Sequence, residues 1–251
     1  MLVSIITPSY NSSPFIMETY QSIVRQTHEN WEWLITDDCS TDNSWDILLD
    51  LAAKDSRIKP IKNKVNSGSA VSRNNSIARS TGEFLAFLDS DDLWLPKKLE
   101  LHLAFMDKQG DDISFTPYFV IDEQSIDMNQ SVDMRLSGTF DYEDMLIKKA
   151  TMGCCTVMVR TNAFDDLSMP LIRVGQDYAL WLKLLKTGKS ASVYPKPLSQ
   201  YRIVSNSISR HKIKKSQKIW RVYRDIEKLN ILKACYVFSH YAFRAFFKLN
   251  Q

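Results

Sequence analysis

The sequence predicts an α/β fold: a mostly parallel, twisted sheet with helices on both faces, followed by a C-terminal helical extension. Three observations carry that expectation. Through the first 95 residues, short apolar runs alternate with amphipathic stretches in a β-α-β-α-β-α-β order, which implies parallel strands joined by right-handed crossovers. The first run shows little polar alternation, the pattern of a strand buried on both faces. Polar clusters then follow three of the runs (TPSYNSS, DDCST and DSDD), which places them together at one edge of the sheet. Open α/β sheets bind ligands at that edge, beyond the carboxyl ends of the strands where strand order reverses.

Leu2–Thr7 is rich in β-branched residues and reads as the first strand. Ser13 is placed to cap a helix with Pro14 at its first position and Phe15, Ile16, Tyr20, Ile23 and Val24 on one face. Trp33–Thr36 forms the second strand, Trp45–Ala53 a helix, Ile58–Ile61 a short strand, Ala70–Ser80 a helix and Phe84–Leu88 the next strand. Beyond it the pattern loosens. A helix is expected over Pro96–Lys108, a strand over Ile113–Ile121, a polar loop over Asp122–Ser137 and a strand over Met152–Arg160. Gln176–Lys186 reads as a helix, Ser192–Arg202 as a Pro-broken extended segment, and the chain from Ile213 onward as one or two helices. The boundaries this suggests are a body of residues 1–210, itself divided at residue 95, and a tail of residues 211–251.

The composition, 44% hydrophobic and 24% charged, is that of a globular chain. Its formal net charge of +3 hides an asymmetry: residues 201–251 carry 12 Lys and Arg against 2 Asp and Glu, whereas the preceding 200 residues carry 20 against 27. An acidic body with a basic tail points to a meeting between the tail and an anionic surface. A nucleic-acid partner fits poorly, because its site would lie beside the acidic body. Cys39, Cys154, Cys155 and Cys235 include no C-x-x-C pair, so neither a zinc site nor a disulfide framework is expected. The opening MLVSIITPSY is too short and too soon broken for a signal peptide, and no uncharged apolar run is long enough to span a bilayer.

The acidic turn DSDD is the most informative motif. An apolar strand running straight into Asp89, Asp91 and Asp92 brings like charges together, which raises their pKa values unless something offsets the repulsion. Asp89 and Asp91, with Ser90 between them, suit a hard divalent cation such as Mg2+ or Mn2+, which takes one or two carboxylates plus substrate phosphates. Asp92 reads at least as well as the start of the next helix. In DDCST, an Asp can accept the ring N–H of a pyrimidine, or the segment can be a turn that starts a helix. Arg73 is suited to a forked contact with a diphosphate, or to a solvated helix face. Asp177 opens a helix, where it serves equally as a dipole partner or as a general base.

In order and spacing, SIITPSYNS, ITDDCSTDNS, NSGSAVSRN, STGEFLAFLDSDDLW and GQDYALWLKLL resemble the family 2 glycosyltransferases, over about Val3 to Ser209. The likeness is greatest to bacterial members that build O-antigen and related envelope polysaccharides. The resemblance implies a GT-A (Rossmann-like) fold for the body, with a nucleotide-binding half in residues 1–95 and an acceptor-binding half in residues 96–210. It also implies a nucleotide-sugar donor, inversion at the anomeric carbon and a lipid-diphosphate-linked saccharide acceptor. Pro8, Tyr10 and Asn11 would line the nucleoside pocket, Asp38 would contact uracil, and Arg73 would approach the base or diphosphate. Asp89, Ser90 and Asp91 match the D-x-D motif, with Asp91 the direct ligand of Mn2+ or Mg2+ and Asp89 beside it. Asp177 matches the catalytic base, with Gln176 before it.

YRIVSNSIS resembles the segment that covers the donor. Many relatives have a His or another polar residue near Val204, which leaves Arg202, Ser205 or His211 to contact the diphosphate. The implied enzyme is a UDP-hexose transferase acting at the inner face of the bacterial cytoplasmic membrane. Lys233, His240, Arg244 and Lys248 form a polar stripe on an aromatic helix, suited to lying in an anionic leaflet or to packing on the body or a second copy in a homodimer. A sugar-phosphate nucleotidylyltransferase would need a Gly-rich basic loop after the first strand, which PSYNSSPF lacks. A purely membrane-binding module would leave the three loop clusters without a purpose.

Overall fold

The computed structural model describes residues 1–204 and 212–247, with side chains at 1–204 and 216–244. The first half follows the expected order: β1 (Val3–Ser9), α1 (Ile16–Val24), β2 (Trp31–Asp37), α2 (Ser44–Lys54), β3 (Ile58–Lys62), α3 (Ser69–Ile77) and β4 (Phe84–Phe87). These strands lie side by side as β3-β2-β1-β4, all parallel, with Val3 opposite both Trp31 and Phe84. After β3 the chain returns past β1 to reach β4. That reversal opens a crevice at the carboxyl ends of β1 and β4.

Side chains alternate between two cores, as the two-residue period of a strand requires. Val3, Ile5, Trp33, Ile35, Phe84 and Ala86 pack with α1, α2 and α4 (Lys98–Gln109), while Ile6, Leu34, Leu85 and Phe87 pack with α3 and α6 (Gln176–Leu185). Each such fully buried side chain contributes about 1.5–3 kcal/mol, so both layers of helices are held firmly.

The sheet continues through β10 (Met158–Arg160), β6 (Ile113–Phe115), β11 (Ala191–Val193) and β9 (Thr139–Phe140). A second sheet is ordered β5 (Leu93–Trp94), β12 (Ser199–Arg202), β7 (Tyr118–Ile121) and β8 (Asp127–Val132). The single strand expected over Ile113–Ile121 is therefore two strands in different sheets. Between them stand Thr116 and Pro117, and a Pro has no N–H for a ladder. The expected loop at Asp122–Ser137 contains β8, whose DMNQSV sequence is exposed on both faces and so shows no apolar alternation. Only Met158–Arg160 of the segment from Met152 is strand, because Cys154–Thr156 form a 3-10 turn. α1 begins at Ile16, not Pro14, with Phe15 rather than Ser13 at its cap, and Val24 is exposed.

The tail comprises α7 (Lys212–Arg221), a π-helical turn at Val222–Ile226 and α8 (Ile231–Phe247). Ile219, Val222, Tyr223, Ala234, Val237 and Tyr241 are buried in the same core as α6, and the Tyr223 hydroxyl donates to the Leu146 carbonyl at the end of α5 (Tyr142–Leu146) at 2.6 Å. α8 thus spends one apolar face on the body. A second one, with Leu232 at 81%, Tyr236 at 60% and Phe243 at 63% exposure, faces outward. Of the polar stripe, Lys233 pairs with Glu143 at 2.6 Å and Lys248 lies outside the described residues. Among the described residues no helix is long and apolar enough to cross a membrane.

Candidate active site

The turns after β1 and β2 are bound into one another. The Asp38 N–H donates to the Ser9 carbonyl (2.7 Å), the Asn11 N–H to the Ser40 hydroxyl (2.9 Å), and the Thr41 N–H to the Asn11 side-chain oxygen (2.9 Å). Asn11 holds a left-handed backbone (φ 48°), which Asn tolerates better than most residues. Pro8 ends half-buried in β1, and Tyr10 on the following turn is 50% exposed. Asp37 accepts the Ser40 N–H at 2.9 Å. Asp38 is buried, and its carboxylate accepts from the Asn63 amide (2.8 Å), the Ser67 N–H (2.8 Å) and the Gly68 N–H (2.7 Å). Gly68 has φ +92°, which suits glycine, so Asp38 fixes the turn that launches α3.

The turn after β4 is the opposite case. Asp91 is half-buried, and burial and then the charge of Asp89 push its carboxyl up to about 6. Asp89 is ion-paired with Arg73, a guanidinium buried on α3. Burial opposes the Arg73 charge, but Asp89, and more weakly Asp177, outweigh it and hold it protonated. Arg73 therefore lies within the field of both acids. Its Nε and Nη1 have no hydrogen-bond partner, and the same is true of Asp92 Oδ2 and Gln176 Oε1. Together these are four of the five such buried side-chain atoms among the described residues. Orphaned buried polar atoms are rare in native folds, and their gathering here makes this crevice the candidate ligand site.

Asp177 stands in the first turn of α6, half-buried, after Gly175, whose φ of +80° makes the turn into the helix. The Gln176 amide donates to the Ser69 hydroxyl at 2.6 Å, tying the start of α6 to the start of α3. The structure thus gathers Arg73, Asp89, Ser90, Asp91 and Asp177 around one crevice. Among the described residues no group of three or more His, Cys, Asp or Glu is arranged to hold a metal ion. The acids here fit the sparser habit of Mg2+ and Mn2+, one or two carboxylates completed by substrate phosphates.

Two expectations need correction. Asp92 is not a helix cap: it is 1% exposed, its Oδ1 accepts the Arg202 N–H at 2.8 Å, and burial plus Asp91 and Asp89 push its carboxyl well above the usual range. Arg202 does not reach a diphosphate. Its guanidinium, buried, donates to the Asp91 carbonyl (2.7 Å), the Ser125 hydroxyl (2.8 Å), Glu18 (2.8 Å) and the carbonyls of Asp122 and Glu123 (both 3.2 Å). It clamps the DSDD turn to the β7–β8 hairpin and α1. Ser205 and His211 lie outside the described residues. The sequence also gave no sign that Cys154 and Cys155 sit buried beside these acids, where burial raises both thiols well above their ordinary range.

The sequence model of Glycosyl transferase family 2 matches residues 4–167 of the chain. The chain belongs to that family. It is similar to TuaG of Bacillus subtilis, named for teichuronic acid biosynthesis, with 43% identity over 96% of this chain and 94% of TuaG. Escherichia coli WfgD, named a UDP-Glc:alpha-D-GlcNAc-diphosphoundecaprenol beta-1,3-glucosyltransferase, is 33% identical over 95% of this chain and 92% of its own. The crystal structure of S. aureus TarS 1–349 in complex with UDP superposes with a TM-score of 0.74 at 22% identity, covering 98% of this chain and 72% of that one. That likeness bears out the GT-A fold. The protein is a glycosyltransferase, so the nucleotidylyltransferase and non-enzymatic readings fall away.

Proposed function

We propose that this glycosyltransferase moves a hexose from a UDP-sugar, with inversion, to a hydroxyl of a polyprenyl-diphosphate-linked saccharide in bacterial surface-polysaccharide synthesis. The observation that carries the reading is the set of unsatisfied groups on Arg73, Asp92 and Gln176, gathered between the acidic turn and Asp177. The donor and acceptor named for WfgD, and the UDP held by TarS, support the substrate classes.

In the reaction, Asp177 takes the proton of the acceptor hydroxyl as its oxygen attacks the anomeric carbon. The bond from that carbon to the diphosphate oxygen breaks on the opposite face, and the nucleoside diphosphate leaves with the electron pair. Arg73, held charged by Asp89, offers two unpartnered N–H groups to that growing negative charge. Asp91 and Asp89 would hold Mn2+ or Mg2+, which when bound supplies further charge stabilisation at the diphosphate. Pro8, Tyr10 and Asn11 flank the nucleoside. Asp38 has three of its roughly four lone-pair positions filled, so it has one left for a uracil N–H.

The outward apolar row on α8, on an extension rich in Lys and Arg, supports a peripheral position on the inner face of the cytoplasmic membrane, where the acceptor resides. The test is a screen of UDP-sugars with synthetic lipid-diphosphate-linked N-acetylglucosamine, with products read by mass and NMR. The expected product is a disaccharide with the anomeric configuration opposite to that of the donor. Retention of configuration, or transfer from GDP- or dTDP-sugars alone, would overturn the reading.

A further inference from the structure

We infer that the acceptor's lipid diphosphate docks in a cleft between the approach to α6 and the C-terminal helices, where Arg173, Lys218 and Arg221 receive it beside Asp177. The inference rests on the proposed reaction and adds a site to it. The cleft has a volume of about 380 Å³, which falls within the range of small-molecule sites.

Its lining has two characters. Ile172, Val174, Val222 and Ile226 give an apolar wall, while Arg173, Lys218 and Arg221 set three cations against the single carboxylate of Asp225. An isoprenoid joined to a diphosphate has the same two characters. Guanidinium forks are the side chains best suited to phosphate oxygens, and both arginines are exposed, so a ligand can reach them.

Position strengthens the match. Arg173 and Val174 run directly into Gly175 and the first turn of α6, so Val174 and Asp177, three residues apart, are separated by at most about 11 Å. The two segments adjoin, since a Cβ on Gly175 would lie in ordinary van der Waals contact with Val222 Cγ2 at 3.6 Å. In a diphosphate-linked acceptor, the hydroxyl to be glycosylated lies one sugar ring from the diphosphate. A head group in the cleft would therefore leave its sugar within reach of the first turn of α6, where Asp177 stands. None of the lining residues belongs to the turns after β1, β2 or β4, so the donor's diphosphate has a separate set of partners.

The probe is farnesyl diphosphate, titrated calorimetrically into the full-length protein, with farnesol and inorganic pyrophosphate as comparison arms. Farnesyl diphosphate should bind more tightly than either, and saturating UDP should not displace it. Arg173→Gln and Arg221→Gln should each weaken binding about tenfold, as expected for losing a charged hydrogen bond. Asp225→Asn, which removes the opposing charge, should tighten it. Unchanged affinity in both arginine variants, displacement by UDP, or pyrophosphate binding equally well would overturn the site. Kinetics separate this site from the reaction itself. If the wild type glycosylates a diphosphate-linked acceptor and the arginine variants keep its KM, the cleft is wrong and the reaction stands. If farnesyl diphosphate binds as described but no diphosphate-linked acceptor is used, the reaction falls.

Discussion

Two acidic turns close neighbouring parts of the same sheet edge, and they are built in opposite ways. After β2, Asp37 and Asp38 are buried, and N–H and O–H groups of Ser40, Asn63, Ser67 and Gly68 occupy most of their lone pairs. After β4, Asp89, Asp91 and Asp92 crowd one another, and among the described residues their one salt bridge is that of Asp89 with Arg73, itself only partly satisfied. Both turns read alike as Asp-rich segments after an apolar run. The difference lies in who satisfies the charge. After β2 the fold itself supplies most of the donors; after β4 it supplies few, and the proposed ligand would supply the rest.

That comparison can be broken by substitution. The largest effect belongs to Asp177→Asn, which should lower kcat by about a thousandfold, within the range for a general base, while leaving calorimetric UDP affinity in place. Near-normal turnover would remove the base from the scheme. Next comes Arg202→Met, which strips the buried clamp from both acidic and hairpin partners. It should destabilise the protein by about 3 kcal/mol, read from the urea midpoint at constant m-value. A shift too small to measure would mean that the clamp is redundant.

The sharpest contrast is between Asp38→Asn and Asp92→Asn. At position 38 an amide NH2 must oppose one of three N–H donors, and the expected loss is about 1–3 kcal/mol. At position 92 an amide can still accept the Arg202 N–H, and no charge need be buried. An Asp whose folded pKa is raised gives its full stability only below its unfolded value, near 3.8, and that stability is lost as pH rises. In metal-free buffer, Asp92→Asn should therefore be neutral at pH 3.5 and as stable as the wild type or more so at pH 7. Equal losses for both substitutions would erase the distinction between the two turns.

Much of the fold was legible because burial on two faces leaves long apolar runs, and the four parallel strands were all visible as such. The three loop clusters were legible because each follows a strand and holds residue types with few reasons to sit there. What could not be read depends on partners distant in the chain. Arg202 meets Glu18 across 184 positions, and nothing local to YRIVSNSIS distinguishes a buried clamp from a diphosphate contact. β8 is polar throughout, so periodicity was silent. Asp92 looked like a cap because its setting, soon before a Pro and a helix, is where caps stand; the residue that actually engages it is 110 positions away. The tail's polar stripe was visible, but its division into a docked apolar face and an outward one required the fold.

The central claim is that the turn after β4 holds a divalent cation for the nucleotide diphosphate. The most direct measurement is calorimetric titration of UDP into the wild type and Asp91→Ala, each with and without Mn2+. The account predicts that Mn2+ strengthens UDP binding to the wild type by about tenfold or more and has little effect on the variant. A wild type indifferent to the cation, or a variant that keeps the full enhancement, would contradict it.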